Sequence, residues 1–104
     1  AIPGFQFHIL EAHHSKKKDS PSGTAVALAN TIEASIGQKP KIDSVRAHDQ
    51  IGFHQITAIG EGEQIQISHQ ALCRAVFAKG ALEAAKWILR KKPKKLYSIE
   101  DVFE

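Results

Sequence analysis

From Phe5 to Leu10 apolar Phe5, Phe7 and Ile9 alternate with Gln6 and His8, and the run continues into Ala12. That period of two predicts a half-buried strand ending near His13 and His14. Pro21 stops regular pairing. Ser22 or Thr24 can then cap a helix that reads Ala25 to about Ser35 and stops at Gly37. Gln38 to Lys41 forms a short polar linker, and Ile42 to Ala47 predicts a second strand. Two more alternating runs, Ile51 to Ile59 and Gln64 to Ala71, flank Gly60-Glu61-Gly62-Glu63. This is the spacing of a β-hairpin with a bulged or four-residue loop. From Arg74 to Arg90 the apolar residues fall in a broad helical stripe that Gly80 weakens and Pro93 must end. Ser98 followed by Asp101 predicts a capped final turn.

Strand, helix, strands, helix implies an α+β domain spanning residues 1–104. Its expected architecture is a mixed, largely antiparallel sheet of about four strands with helices on one face. A chain of 104 residues buries only about 60 to 65 % of its unfolded surface, so a bare second sheet face would be costly. Both faces of the hairpin carry apolar residues: Ile56, Ala58, Ile65 and Ile67 on one, Ile51, Phe53 and Ile59 on the other. Sheet-to-sheet association between copies is therefore expected.

Charge and cysteine content remove other classes. The net charge is +3, with basic runs at Lys16 to Lys18 and Arg90 to Lys95. Glu11, Glu61, Glu63, Glu83 and the acidic tail interrupt any single-signed face, and the few aromatics do not alternate with the basic residues. A nucleic-acid platform needs both features, so that reading is weak. One cysteine, Cys73, excludes an internal disulfide framework and fits a reducing compartment, with the thiol read as a small apolar filler. No signal or membrane-spanning segment is visible. The lack of any Met, and a start on Ala1-Ile2-Pro3-Gly4 just before a strand, point to a domain excised from something longer.

The chemistry concentrates between Glu11 and Ala25. Two histidines, three lysines and Pro21-Ser22-Gly23-Thr24 lie within this strand-to-helix junction. Imidazole and ammonium groups can exchange protons, and a helix start offers backbone N–H groups to a carboxylate or phosphate. An anionic small molecule fits both. Each element also has an ordinary reading: strand-end histidines, a solvated lysine run, a plain helix start. Adjacent His13 and His14 point to opposite faces of extended backbone, and His8 lies about 20 Å from His14 along the strand. No metal site is therefore expected. His54 and His69 can be cross-strand neighbours, and Trp87 reads as a packing residue.

Glu11-Ala-His-His14 with Lys17, Asp19 and Pro21-Ser-Gly-Thr-Ala25 resembles the signature of the dihydrodipicolinate reductases. The likeness runs on in order through Ser44-Val-Arg-Ala47, Gly52, His54, Gly60-Glu-Gly-Glu63, Ile65-Gln-Ile-Ser-His69, Phe77-Ala78, Trp87 and Leu96-Tyr97-Ser98, so it covers nearly the whole chain. Departures are His48, where the family often has glycine, Phe53, where it often has glutamate, a short Gly37–Ser44 loop, and no helix before the first strand.

The resemblance implies the carboxyl-terminal substrate-binding and oligomerisation domain of an enzyme of lysine (diaminopimelate) biosynthesis, which reduces a cyclic imine dicarboxylate. It implies a homotetramer, a cytoplasmic location (the plastid in a plant), and NADPH or NADH bound by a Rossmann domain outside these residues. Matched residue by residue, His13 and Lys17 become the catalytic pair, and His14, Lys17, Gly23 and Thr24 the substrate contacts. The chemistry agrees, because hydride addition to C=N leaves an electron-rich atom to protonate and a dicarboxylate needs cations. Two further readings stand beside it: an oligomerising or anion-binding relic without catalysis, and the weaker nucleic-acid module.

Overall fold

The computed structural model describes residues 4–93 and 95–103. The chain forms two compact units, Ala1–Leu72 and Cys73–Glu104.

The first unit is a four-stranded sheet carrying one helix. β1 (Gln6–His13) leads into α1 (Gly23–Ile36), then β2 (Lys41–Arg46), β3 (Phe53–Gly60) and β4 (Glu63–Gln70). The strand order is β2-β1-β3-β4. β1 and β2 run parallel, with α1 as their crossover, while β1 with β3 and β3 with β4 are antiparallel. The sheet is thus mixed and largely antiparallel, as the alternation predicts.

Register decides which side chains share a face. Ile9 stands beside Ile42 on β2 and Ile56 on β3, and Ile56 beside Ile67 on β4. α1 packs on this face through Ala25, Leu28, Ala29 and Ile32, the i, i+3, i+4, i+7 stripe of a helix. Ala25 and Ala29 are fully buried against Ile9. Their small side chains let the helix lie close to the sheet. Ser22 caps α1, its Oγ accepting the Ala25 N–H at 3.2 Å, and Gly37 ends it at φ 77°. That left-handed geometry suits glycine.

The hairpin is tighter than the sequence implies. Gly60 pairs with Glu63, which leaves a two-residue turn rather than a four-residue loop, and Gly62 at φ 74° makes it possible. His54 pairs with His69 as expected. Ile65 and Ile67 remain more than half exposed on the α1-bearing face, and α1 covers only the β2-β1 side and Ile56.

In the second unit, α2 (Ala75–Ile88) runs through Gly80 without a break, and α3 (Ile99–Val102) is the final capped turn. The Asp101 carboxylate accepts the Ser98 N–H at 2.8 Å. Arg74 precedes α2 directly, where the helical stripe begins. Trp87 meets the Tyr97 ring edge-on at 5.1 Å. Cys73 is exposed, which does not fit the filler reading.

Candidate active site

The carboxyl end of β1 and the start of α1 meet around one buried acid. Glu11 lies on the α1-bearing face with no exposed surface. Both carboxylate oxygens are engaged. Oε1 accepts from His13 Nδ1 at 2.7 Å and from Arg46 Nη1 at 2.9 Å. Oε2 accepts from Ser44 Oγ at 2.8 Å, Ser22 N–H at 2.9 Å and Arg46 Nη2 at 3.0 Å. Parallel register places Ser44 beside Glu11 and Arg46 beside His13.

Burial alone would raise this carboxyl's pKa, but the hydrogen bonds from Arg46, the Ser22 N–H, Ser44 and His13 together hold it at about 2, against 4.5 ordinarily. A folded pKa below the unfolded one gives stability that is present above about pH 4.5 and lost as pH falls toward 2. Carbon-13 NMR of the Glu11 carboxyl should therefore show a titration near pH 2 in the folded chain. A midpoint near 4.5 would mean that the network does not hold.

Arg46 extends the network to the loop. Its Nη2 also donates to the Asp19 carbonyl at 2.9 Å, and the Asp19 carboxylate meets Lys17 Nζ at 2.9 Å. The Lys17 ammonium holds the Asp19 carboxyl below the usual carboxylate range. Lys17 is half-buried while Lys16 and Lys18 are exposed. The Lys17 N–H donates to the His14 carbonyl at 3.1 Å, and the Ser15 N–H to the His48 carbonyl at 3.1 Å. His48 takes φ 48°, a conformation that favours glycine.

His54 completes the floor. Its Nε2 lies 3.2 Å from Ser22 Oγ, and its ring meets the His13 ring edge-on at 5.1 Å. Burial first, then the neighbouring charge of His13, lowers its pKa against an opposing pull from Glu11. Its neutral form thus contributes stability above about pH 6.5 that fades as pH drops below that value.

Of the residues singled out from sequence, the structure joins His13 and Lys17 through Glu11, Arg46 and Asp19. Gly23 and Thr24 form the exposed first turn of α1, where N–H groups have no intrahelical acceptor. A Cβ at Gly23 would meet nothing within 4 Å, so packing within the chain does not demand glycine there. His14 is half-buried at the end of β1. Glu11 and Arg46 are not assigned roles from sequence, because sheet register brings them together, and Ser22 and His54 are read there only as a helix cap and a cross-strand neighbour. An acid on the apolar face of β1, in period with Phe7 and Ile9, is the signal that could have found Glu11.

No metal was expected, yet ligand atoms of Glu11, His13 and His54 lie within 4.8 Å of one another. A cation there would have to displace or face the Arg46 guanidinium on the same carboxylate, an electrostatic cost that disfavours it.

Residues 1–103 match the family described as dihydrodipicolinate reductase, C-terminus. A 4-hydroxy-tetrahydrodipicolinate reductase of Bdellovibrio bacteriovorus is 44 % identical over 98 % of this chain and 44 % of its own length. The enzyme of that name from Lawsonia intracellularis is 40 % identical over 94 % of this chain and 46 % of its own. A dipicolinate-bound dihydrodipicolinate reductase from Paenisporosarcina sp. TG-14 superposes with a TM-score of 0.71 at 26 % identity, covering 92 % of this chain and 44 % of that one. The chain spans less than half the length of these relatives. With a family match over nearly its whole length and a structural likeness that covers 92 % of it, this chain belongs to the dihydrodipicolinate reductase family, in its C-terminal domain.

Proposed function

We propose that this chain is the substrate-binding and catalytic domain of an NAD(P)H-dependent reductase acting on a cyclic imine dicarboxylate in the diaminopimelate route to lysine. The observation that carries this reading is the tethering of His13 and half-buried Lys17 to one ionised Glu11–Arg46 pair, beside the open first turn of α1. Gly23 and Thr24 N–H groups take one substrate carboxylate, and Lys17 and His14 supply positive charge and hydrogen bonds to the dicarboxylate. Hydride addition to the C=N bond is completed by one proton, which His13 and Lys17 hold and deliver.

NADH or NADPH supplies the hydride when bound. The residues here do not fit a dinucleotide: the β1–α1 turn carries Gly23 alone, without the glycine cluster that lets a pyrophosphate approach the backbone. The reading therefore assigns the cofactor to a nucleotide-binding domain outside these residues. It also takes residues 1–104 as one substrate-binding and oligomerisation domain, assembled into tetramers through the sheet, where exposed Ile65 and Ile67 offer apolar surface. The location it implies is the cytoplasm. No helix among the described residues is long and apolar enough to cross a membrane.

Isothermal titration with pyridine-2,6-dicarboxylate, the planar dicarboxylate named with the Paenisporosarcina neighbour, tests the site. Saturable binding that Lys17→Ala and Thr24→Pro, which removes the Thr24 N–H within the first turn of α1, each weaken by about tenfold or more is expected, the scale of one lost charge-assisted hydrogen bond. Binding that neither substitution alters would reject the site. No binding at all by a folded reductase containing this domain would favour the relic reading.

A further inference from the structure

We propose that Glu11, clamped by Arg46, is a positioning residue that keeps the His13 proton on Nδ1 and leaves Nε2 as the atom at which this site exchanges protons. The inference rests on the reading of His13 as a proton carrier and adds to it which nitrogen acts and what fixes it.

Glu11 and His13 are two apart on β1, so their side chains leave the same face. A carboxylate without exposed surface must be satisfied, and it offers about four acceptor positions. Oε2 accepts from Arg46 Nη2, the Ser22 N–H and the Ser44 hydroxyl, while Oε1 accepts from Arg46 Nη1 and has one further position. His13 Nδ1 fills that position at 2.7 Å, the shortest of the five contacts. The bond serves both partners: it helps to hold the acid ionised, and it orients the imidazole.

An ionised carboxylate only accepts, so Nδ1 carries hydrogen in both charge states of His13. Gain or loss of a proton then falls to Nε2. The charged and titratable groups facing this ring are Glu11 on its own strand, Arg46 on β2 and His54 on β3. Among them Arg46 has a second task. Its bond to the Asp19 carbonyl fixes the residue that holds Lys17, so one guanidinium sets the placement of both proton carriers.

The test is long-range proton–nitrogen NMR of the labelled chain above neutral pH. His13 should appear as the Nδ1–H tautomer, and observation of the Nε2–H tautomer overturns the proposal without any variant. In the complete reductase, Glu11→Gln should lower kcat at least about tenfold with KM changed less than about threefold, the pattern of lost proton-transfer alignment. Ser44→Ala, which removes a bond to Oε2 and leaves the His13 bond to Oε1 in place, should leave both tautomer and kcat close to wild type. Folded Glu11→Gln enzyme with unchanged kcat overturns the proposal. The underlying reading fails separately: His13→Ala with wild-type kcat would remove His13 from the chemistry, whatever its tautomer.

Discussion

Replacing Lys17 with alanine in the complete reductase is expected to reduce turnover by about 10² to 10⁴ fold, the range for loss of a proton donor. The protein should otherwise be undisturbed. Lys17 Nζ pairs with Asp19 at 2.9 Å, and the Asp19 side chain is 59 % exposed; such surface pairs contribute between about 0 and 1 kcal/mol. Tertiary anchoring of the loop does not run through the Lys17 side chain, because Arg46 grips the Asp19 carbonyl and the Lys17 N–H bonds the His14 carbonyl. A thermal midpoint near wild type alongside a collapsed kcat is therefore the signature of a chemical role. Lys17→Arg separates charge from proton donation. Arginine keeps the cation that a dicarboxylate needs but does not release a proton at working pH, so KM should stay near wild type while kcat remains low. Wild-type kcat in Lys17→Ala would remove Lys17 from the mechanism.

The distribution of what was legible in the sequence follows from which forces are local. Alternation in Phe5, Phe7 and Ile9 and the Ser22 and Gly37 caps are local signals, and β1 and α1 appear within a residue or two of where they point. The hairpin came out in place, but its turn did not: the pattern of Gly60-Glu61-Gly62-Glu63 is compatible with several loops, and pairing of Gly60 with Glu63 selects the shortest. His13 and Lys17 were readable because they lie in one motif. Glu11 and Arg46 were not, since 35 residues separate them in sequence and only the parallel β1–β2 register brings Arg46 beside His13. A strand paired one residue out of register would turn Arg46 away from the acid. The candidate site is thus visible in sequence as a list of reactive groups, while the hydrogen bonds that join them are a property of the sheet.

Arg46→Ala should accordingly be the most destabilising single change in this network, by about 3 to 5 kcal/mol, the cost of stripping the partner from a buried charge. It leaves the Glu11 carboxylate with no exposed surface and without its bidentate cation, and it frees the Asp19 carbonyl from its anchor. The acid response should also weaken. In the wild type Glu11 titrates at about 2, so lowering the pH from 4.5 costs stability. Arg46 supplies the largest of the hydrogen bonds that oppose burial, so without it the Glu11 pKa rises toward its unfolded value. Protonating the acid then costs the variant less than it costs the wild type. Urea unfolding of both proteins between about pH 3 and pH 7 reads this directly: the gap between them should narrow as the solution is acidified. A gap that is constant with pH would mean that Arg46 stabilises through packing of its alkyl stem alone. The double replacement Glu11→Leu with Arg46→Met should recover much of the lost stability, because removing both charges costs less than orphaning one. It should recover no turnover, since His13 would have lost the acceptor that fixes its ring and Lys17 the anchor of its loop.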